Sequence, residues 1–227
     1  MIKFYRIFLL IITFIFLSTY SPNKFEKSIK NYNTFFNVKK IIILDNILVS
    51  KDNILRELDH LYEKNIFFIK RKDMVESLKN VHFLKKIEVK KKYPDRLIIK
   101  LFESKPLALL FKDKTKYIID SESNLILPDK KMNFPELPNI IGDAAENNFI
   151  DFYNKLETNG FPKKNIKTFY YFKIGRWDLE LLDNRIIKFP YNAKNNIIKK
   201  SIELIKRDDF ENYKIIDLRI DGKIIVE

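Results

Sequence analysis

The 227-residue sequence contains no cysteine, four glycines, two histidines and one tryptophan. Without cysteine there is no disulfide framework and no thiolate chemistry. That absence leaves the compartment open, because disulfides are optional outside the cytoplasm. His60 and His82 stand on different predicted elements with no cysteine to join them, which argues against a conventional zinc site. Gly142, Gly160, Gly175 and Gly222 are isolated, so there is no phosphate-cradling loop. The serines lack a plausible histidine partner for nucleophilic catalysis. Asp178 and Glu180 share a strand face by spacing, but carboxylate pairs are ordinary on solvated faces. The expectation is therefore no catalytic residue, no metal and no cofactor.

Hydrophobic residues make up 46% and aromatics 14%, the composition of a folding chain. The formal charge is +13, which would ordinarily raise nucleic acid as a partner. Lysine is abundant together with isoleucine, asparagine and phenylalanine, a bias that an AT-rich genome produces by itself. The lysines are also scattered rather than gathered in one stripe, so no nucleic-acid partner is expected. At the start, Lys3 and Arg6 precede "IFLLIITFIFLSTY", with no charge from Ile7 until Lys24. This stretch is short for a membrane span of roughly 20 residues, but Arg6 can snorkel and Tyr20 can sit at the far interface. A cleaved signal peptide fits less well: cleavage wants small residues three and one before the cut, and Ser18 with Tyr20 fits badly, as does Phe16 with Ser18. A buried soluble helix would not usually open a chain behind two cations. An uncleaved anchor is expected over 7–22. Lys24, Lys27 and Lys30 compete with Lys3 and Arg6 for the positive-inside signal. Long domains translocate despite such charges, so the body of the chain is placed outside the cytoplasm.

Beyond a polar stem, "VKKIIILDN" reads as a strand. Ser50 is read as the N-cap of a helix to about Leu61, its side chain accepting first-turn amides above an apolar face of Ile54, Leu55, Leu58 and Leu61. A second helix, Arg71 to Lys79, has Met74, Val75 and Leu78 as its buried stripe. Strands follow at Lys86–Lys91 and Arg96–Leu101, joined by a turn at Tyr93-Pro94-Asp95 in which the aspartate can cap turn amides. The first unit thus reads strand-helix-helix-strand-strand, with both helices packed on one small sheet. A second unit begins near Pro106. "YIIDSESNLILP" reads as two strands about a turn at Ser121–Asn124, and Pro128, Pro135 and Pro138 impose an extended loop to Gly142. A helix covers Phe149 to Leu156, then come strands "IKTFYYF", "WDLELL" and "RIIKFP". A basic helix runs from Ala193 to Lys206, followed by strand "KIIDLRI", a turn at Asp221-Gly222 and a final "KIIVE". Trp177 alternates with Leu179 and Leu181 and is read as core or sheet flank, with Gly175 and Arg176 beside it permitting close approach or a bulge.

Taken in order, these segments resemble the bacterial FtsQ/DivIB cell-division family, especially its alphaproteobacterial members. The resemblance rests on "FFNVKKIIILDNILVSKDNI", "HFLKKIEVKKKYPDRLIIKLFESKPLALL", "YIIDSESNLI", "LPNIIG", "GRWDLEL" and "IIDLRIDGKIIV". It implies an α+β chain: a short cytoplasmic start at 1–6, a single N-terminal transmembrane helix at 7–22 and a stem at 23–35. A POTRA domain at 36–104 and a mainly antiparallel β domain with peripheral helices at 105–227 follow. It also implies a non-enzymatic, single-pass type II inner-membrane scaffold of the divisome, with its C-terminal domain periplasmic at the septum. The implied partners are FtsB and FtsL, the FtsW–FtsI synthase pair and FtsK, with no small-molecule substrate. In the family the last strand receives a strand from FtsB. Carried onto this chain, that surface is Asp217, Arg219, Ile220, Lys223, Ile224, Ile225 and Val226. The family often has tyrosine where Ile220 stands here, and most relatives continue past Glu227. Ser50, Tyr93, Pro94, Asp95, Glu103 and Pro106 are read as architecture, Glu103 to Ala108 forming the join between domains. Residues Val49 to Leu55 are a secondary candidate for septal recruitment. Rival readings are an outer-membrane biogenesis factor using its POTRA unit as a chaperone, which midcell enrichment would argue against, and an envelope hydrolase, which lacks a convincing carboxylate.

Overall fold

The computed structural model describes residues 2–18, 34–128, 132–210 and 212–227, which belong to two compact units, Met1–Glu103 and Ser104–Glu227. Helix α1 spans Ile2–Ser18, 17 residues, about 25 Å at 1.5 Å per residue. It begins at Ile2 rather than Ile7. The rest of the expected span, 19–22, and the stem as far as 33 lie outside the described residues. Among the described residues, no helix is long and apolar enough to cross a membrane.

The remainder of the first unit consists of β1 (Lys40–Leu44), α2 (Lys51–Glu57), α3 (Arg71–Ser77), β2 (Leu84–Lys92) and β3 (Arg96–Glu103). The sheet order is β1-β3-β2, with β1 parallel and β2 antiparallel to β3. Alternation puts Ile41, Ile43, Ile87, Leu97, Ile99 and Leu101 on one face, and Ile54, Leu58, Met74 and Leu78 of the helices cover them; all are buried. The first helix is shorter than its apolar spacing predicts: α2 ends at Glu57 and Asp59–Leu61 tightens into a 3-10 turn that still buries Leu61. Val75 is 48% exposed, so the stripe of α3 is Met74 and Leu78.

Two capping expectations are corrected. Ser50 occupies the N-cap position, but its side chain makes no capping hydrogen bond. The anchor of this loop comes from 55 residues away in sequence. Glu103 Oε1 accepts the amides of Ile47 (3.0 Å) and Val49 (2.9 Å), and Oε2 accepts that of Leu48 (2.8 Å). A carboxylate reaching three successive N–H groups binds them more firmly than a serine hydroxyl could. At the Tyr93-Pro94-Asp95 turn it is the backbone carbonyl of Asp95 that accepts, from the amides of Lys39 (2.9 Å) and Lys40 (3.3 Å). The Asp95 carboxylate instead lies 3.5 Å from Arg96 Nε. The turn thereby holds the chain entering β1.

In the second unit a nine-stranded sheet has the order β12-β11-β10-β9-β8-β7-β4-β5-β6. Its strands are β4 (Pro106–Lys112), β5 (Thr115–Asp120), β6 (Leu125–Ile126), β7 (Asn139–Ile141), β8 (Ile166–Phe172), β9 (Arg176–Leu181), β10 (Ile186–Lys188), β11 (Ile215–Asp217) and β12 (Ile225–Val226). Pro106, expected as part of the join, opens β4, a position where a missing N–H is tolerated. The expected extended loop to Gly142 contains β7, wedged parallel between β4 and β8. Three residues after a proline-rich run carry no local strand signal, and their partners are distant in sequence. Gly142, with φ +138°, lets the chain leave β7, since a Cβ there would lie 2.3 Å from the Tyr171 carbonyl oxygen. The Ser121–Asn124 turn is organised by buried Asp120, which accepts the amides of Glu122 and Asn124, the Asn124 side chain and the Ser104 hydroxyl at 2.6–3.0 Å.

Helices α4 (Glu146–Thr158) and α5 (Asn195–Ile205) cover one face of this sheet. Phe149, Phe152, Leu156, Ile198 and Leu204 meet Phe169, Trp177, Leu179, Ile187 and Phe189 in one core. Trp177 is in that core, its ring parallel to Phe152 at 5.3 Å and tilted against Tyr171 at 4.7 Å.

The role found for Glu103 is open to a direct check. Glu103→Ala should lower the urea unfolding stability of the first unit by about 1–3 kcal/mol, and Glu103→Gln by less, because its remaining carbonyl oxygen still accepts amides. Equal stability of Glu103→Ala and the parent would show that the three hydrogen bonds do not hold the loop.

A candidate partner-binding edge

The C-terminal end of the sheet is built by β9 to β12. Lys188 of β10 lies opposite Asp178 of β9 and beside Asp217 of parallel β11, and Asp217 lies opposite Ile225 of β12. Strand alternation sends Trp177, Leu179, Ile187, Ile216 and Val226 toward the helices. Asp178, Lys188, Asp217 and Ile225 form a cross-strand row on the other face, with Arg176 and Arg219 one pleat away.

The charges in this row are arranged in pairs. Asp217 is buried, and Arg219 folds back over it: Arg219 Nε lies 2.9 and 2.8 Å from the two carboxylate oxygens, and the Arg219 amide donates to Oδ1 at 3.0 Å. These hydrogen bonds hold the Asp217 carboxyl below the ordinary carboxylate range. Asp178 shows the opposite behaviour. Burial pushes its carboxyl up, and the nearby Arg176 only partly offsets that. Arg176 Nε sits 3.2 Å from Asp178 Oδ1, yet neither atom has a hydrogen bond, and the Arg176 guanidinium lies 4.0 Å above the Phe172 ring.

The backbone parity of β12 follows from its last residue. Glu227 and Ile215 exchange both hydrogen bonds, N–H to O at 3.2 and 3.1 Å. In an antiparallel ladder the next pair, Val226 and Ile216, is a non-hydrogen-bonded one. Ile225 therefore turns its backbone groups toward β11, while the N–H and C=O of Val226 point to the open side. The parallel neighbour agrees: the Leu218 amide donates to Lys188 O at 2.9 Å and the Ile186 amide to Lys214 O at 2.8 Å, so even-numbered β11 residues serve β10.

The residues expected to bind a partner take different positions within this frame. Ile224 and Ile225 are exposed, as are Ile220 and Lys223 at the β11–β12 connection. The Val226 side chain packs on the core, leaving only its backbone at the edge. Asp217 is buried beneath Arg219 and positions that guanidinium, which keeps side-chain exposure of 41%. Among the architectural residues, Gly175 has φ +77° and a Cβ there would lie 2.6 Å from the Tyr191 ring, so the ring lies directly over the backbone. Sequence reading missed the row itself. Asp178 was noted only as one half of a possible carboxylate pair, and Lys188 was not singled out; the registers that unite them involve a parallel pairing with no local signal.

The two carboxyls should respond oppositely to acid. Asp217, with a lowered folded value, contributes stability that is whole above its unfolded value of about 3.9 and lost as pH falls through the folded value. Asp178, with a raised value, disfavours the fold at neutral pH and ceases to do so as pH falls through its folded value. Urea unfolding across pH should show the parent's advantage over Asp217→Asn, about 1 kcal/mol at pH 7, shrinking on acidification. The parent should meanwhile gain on Asp178→Asn. Parallel trends for the two variants would contradict these assignments.

Comparison with known proteins bears on both units. A family model for the POTRA domain, FtsQ-type, matches residues 36–104, and one for the cell division protein FtsQ/DivIB C-terminal region matches 108–219. The cell division protein FtsQ of Rickettsia conorii is 29% identical over 196 residues, covering 85% of this chain and 72% of the relative. That of Rickettsia felis is 28% identical over 227 residues, covering 94% and 84%. The major extracytoplasmic domain of DivIB from Geobacillus stearothermophilus, as its trans isomer, aligns with 45% of this chain and 87% of its own, at 10% identity and a TM-score of 0.31. The strand-helix-helix-strand-strand unit is thus a POTRA domain followed by a β-rich C-terminal domain, and the chain belongs to the FtsQ/DivIB family of bacterial cell-division proteins.

Proposed function

We propose that this chain is a non-enzymatic scaffold of the division machinery. An N-terminal helix anchors it in the inner membrane, its two domains lie in the periplasm at the septum, and β12 recruits a partner strand. The partner that the family resemblance implies is FtsB, with FtsL beside it, and the assembly connects onward to FtsW–FtsI and FtsK. The anchor would include α1 and extend beyond Ser18 to complete the span. The observation that carries the reading is the parity of β12. Val226 presents an unpaired N–H and C=O at a sheet edge, the arrangement that strand addition uses. Ile225 on the outer face offers apolar contact, and Arg219 has donors left to meet an acidic side chain while still held by Asp217. Ile220, also exposed, supplies apolar area at the same end.

Parity also selects the informative substitution. Val226→Pro removes an outward donor and leaves the β11–β12 ladder, whereas Ile225→Pro breaks the ladder itself. Binding of the full chain in detergent to the envelope segment of the organism's own FtsB should fall about tenfold for Val226→Pro, the equivalent of one lost hydrogen bond. Its melting profile should stay close to that of the parent. Unchanged affinity in a folded Val226→Pro variant would exclude strand addition at this edge, and absence of binding by the parent would overturn the partner assignment.

A further inference from the structure

An aromatic and basic surface gathers at one end of the POTRA unit, and the fold leaves it uncovered. Phe35 and Phe36 meet edge to face at 5.2 Å, Phe36 lies 5.0 Å from Phe67, and Phe67 stacks on Tyr93 at 4.9 Å and 23°. Phe35, Phe67 and Tyr93 are each more than half exposed, and adjacent Phe68 is 79% exposed. Three separate chain segments are tied together here. The Ile66 amide donates to Phe36 O at 2.9 Å, Lys91 Nζ to Phe67 O at 3.2 Å, and the Lys39 amide to Asp95 O at 2.9 Å. Beside Lys91, the residues flanking these rings in sequence are basic, with Lys64 before Phe67, Lys90 and Lys92 before Tyr93 and Arg96 after it, against Glu63 and Asp95 as acids. Exposing four aromatic rings at a free protein surface beside lysines suits neither a protein core nor plain solvation.

The direction of the chain says what faces this end. The chain enters the unit at Thr34–Phe36, beside these rings, and both β1 and β3 run away from it toward Glu103, where it leaves. Fifteen residues, 19–33, separate α1 from this point, a reach of at most about 50 Å. A tether that short keeps the local concentration of a membrane surface high, so weak contacts suffice. Tyrosine favours the headgroup layer and phenylalanine its boundary with the acyl chains, and clustered lysines favour anionic lipid.

We propose that the Phe35–Phe67–Phe68–Tyr93 end of the POTRA unit rests on the membrane, its rings in the headgroup layer and its lysines on anionic lipid phosphates. The contact sets which end of the unit faces the bilayer. This rests on the reading of the N-terminal helix as a membrane anchor.

Because the chain has no cysteine, single labels can be placed cleanly. Full-length chain carrying a nitroxide at Phe68→Cys would be reconstituted in lipid nanodiscs containing phosphatidylglycerol. A control label at Ile47→Cys, 88% exposed, reports the far end of the unit. Collision with oxygen and with a water-soluble nickel chelate reads depth. The expected result is a shift of the Phe68 label toward the oxygen-rich, chelate-poor profile of the interface while the Ile47 label stays water-like. That shift should be lost in discs of phosphatidylcholine alone, an arm that alters only the lipid, and in Lys90→Glu/Lys92→Glu. A water-like Phe68 label in anionic discs would overturn the proposal while co-elution of chain and disc still upholds the anchor. Spin–spin broadening at Phe68 without lipid contact would overturn it in favour of a second copy. Failure of the chain to co-elute with the discs would overturn the anchor reading and this one with it.

Discussion

Backbone hydrogen bonds in the second unit are satisfied strand by strand outward from β8 and β9, and the pairing set there propagates to both ends of the sheet. Trp177, Phe169 and Phe152 lock β8 and β9 under α4, which determines which face of every later strand is apolar. A slip of one residue would invert that face, so register is strongly held wherever core and solvent differ. The registers of β10, β11 and β12 follow from this, and the parity of Val226 is their last term. The open backbone edge at Val226 is therefore a consequence of core packing several strands away.

The same economy appears where the chain passes from one unit to the next. Glu103, the last residue of the first unit, gives its carboxylate to the Ile47–Val49 amides. Ser104, the first residue of the second, gives its hydroxyl to Asp120. Neighbouring residues thus each secure a loop of their own unit, which explains why polar side chains stand between two apolar strands. The charges of the C-terminal row obey a similar division. Asp217 spends its carboxylate internally so that Arg219 is held in one orientation at the surface.

Much of this was legible in the residues. Alternation in Arg96–Leu101 and Ile166–Phe172 and the spacing of Phe149, Phe152 and Leu156 are local signals, and those elements form as expected. What stayed hidden depends on distant partners. β7 is three residues long and exists because β4 and β8 flank it; the capping of the Ile47–Val49 loop by Glu103 spans half a domain; and Val75, about 100° around the helix from Met74, falls outside the face that Met74 and Leu78 bury. The C-terminal strand, turn and strand are present as read, but β11 ends at Asp217 within "KIIDLRI" and β12 covers only Ile225–Val226 of "KIIVE". Its parity, and hence the distinction between Ile225 and Val226, required the Glu227–Ile215 pair.

Residue-resolved hydrogen exchange of β12, free and bound to the FtsB envelope segment, tests the central claim most directly. In the free chain the amides of Ile225 and Glu227 should be protected and that of Val226 should exchange freely, and partner binding should slow Val226 selectively. Protection of Val226 equal to that of Ile225 in the free chain, or no slowing on binding, would contradict the account of β12 as an open edge awaiting a strand.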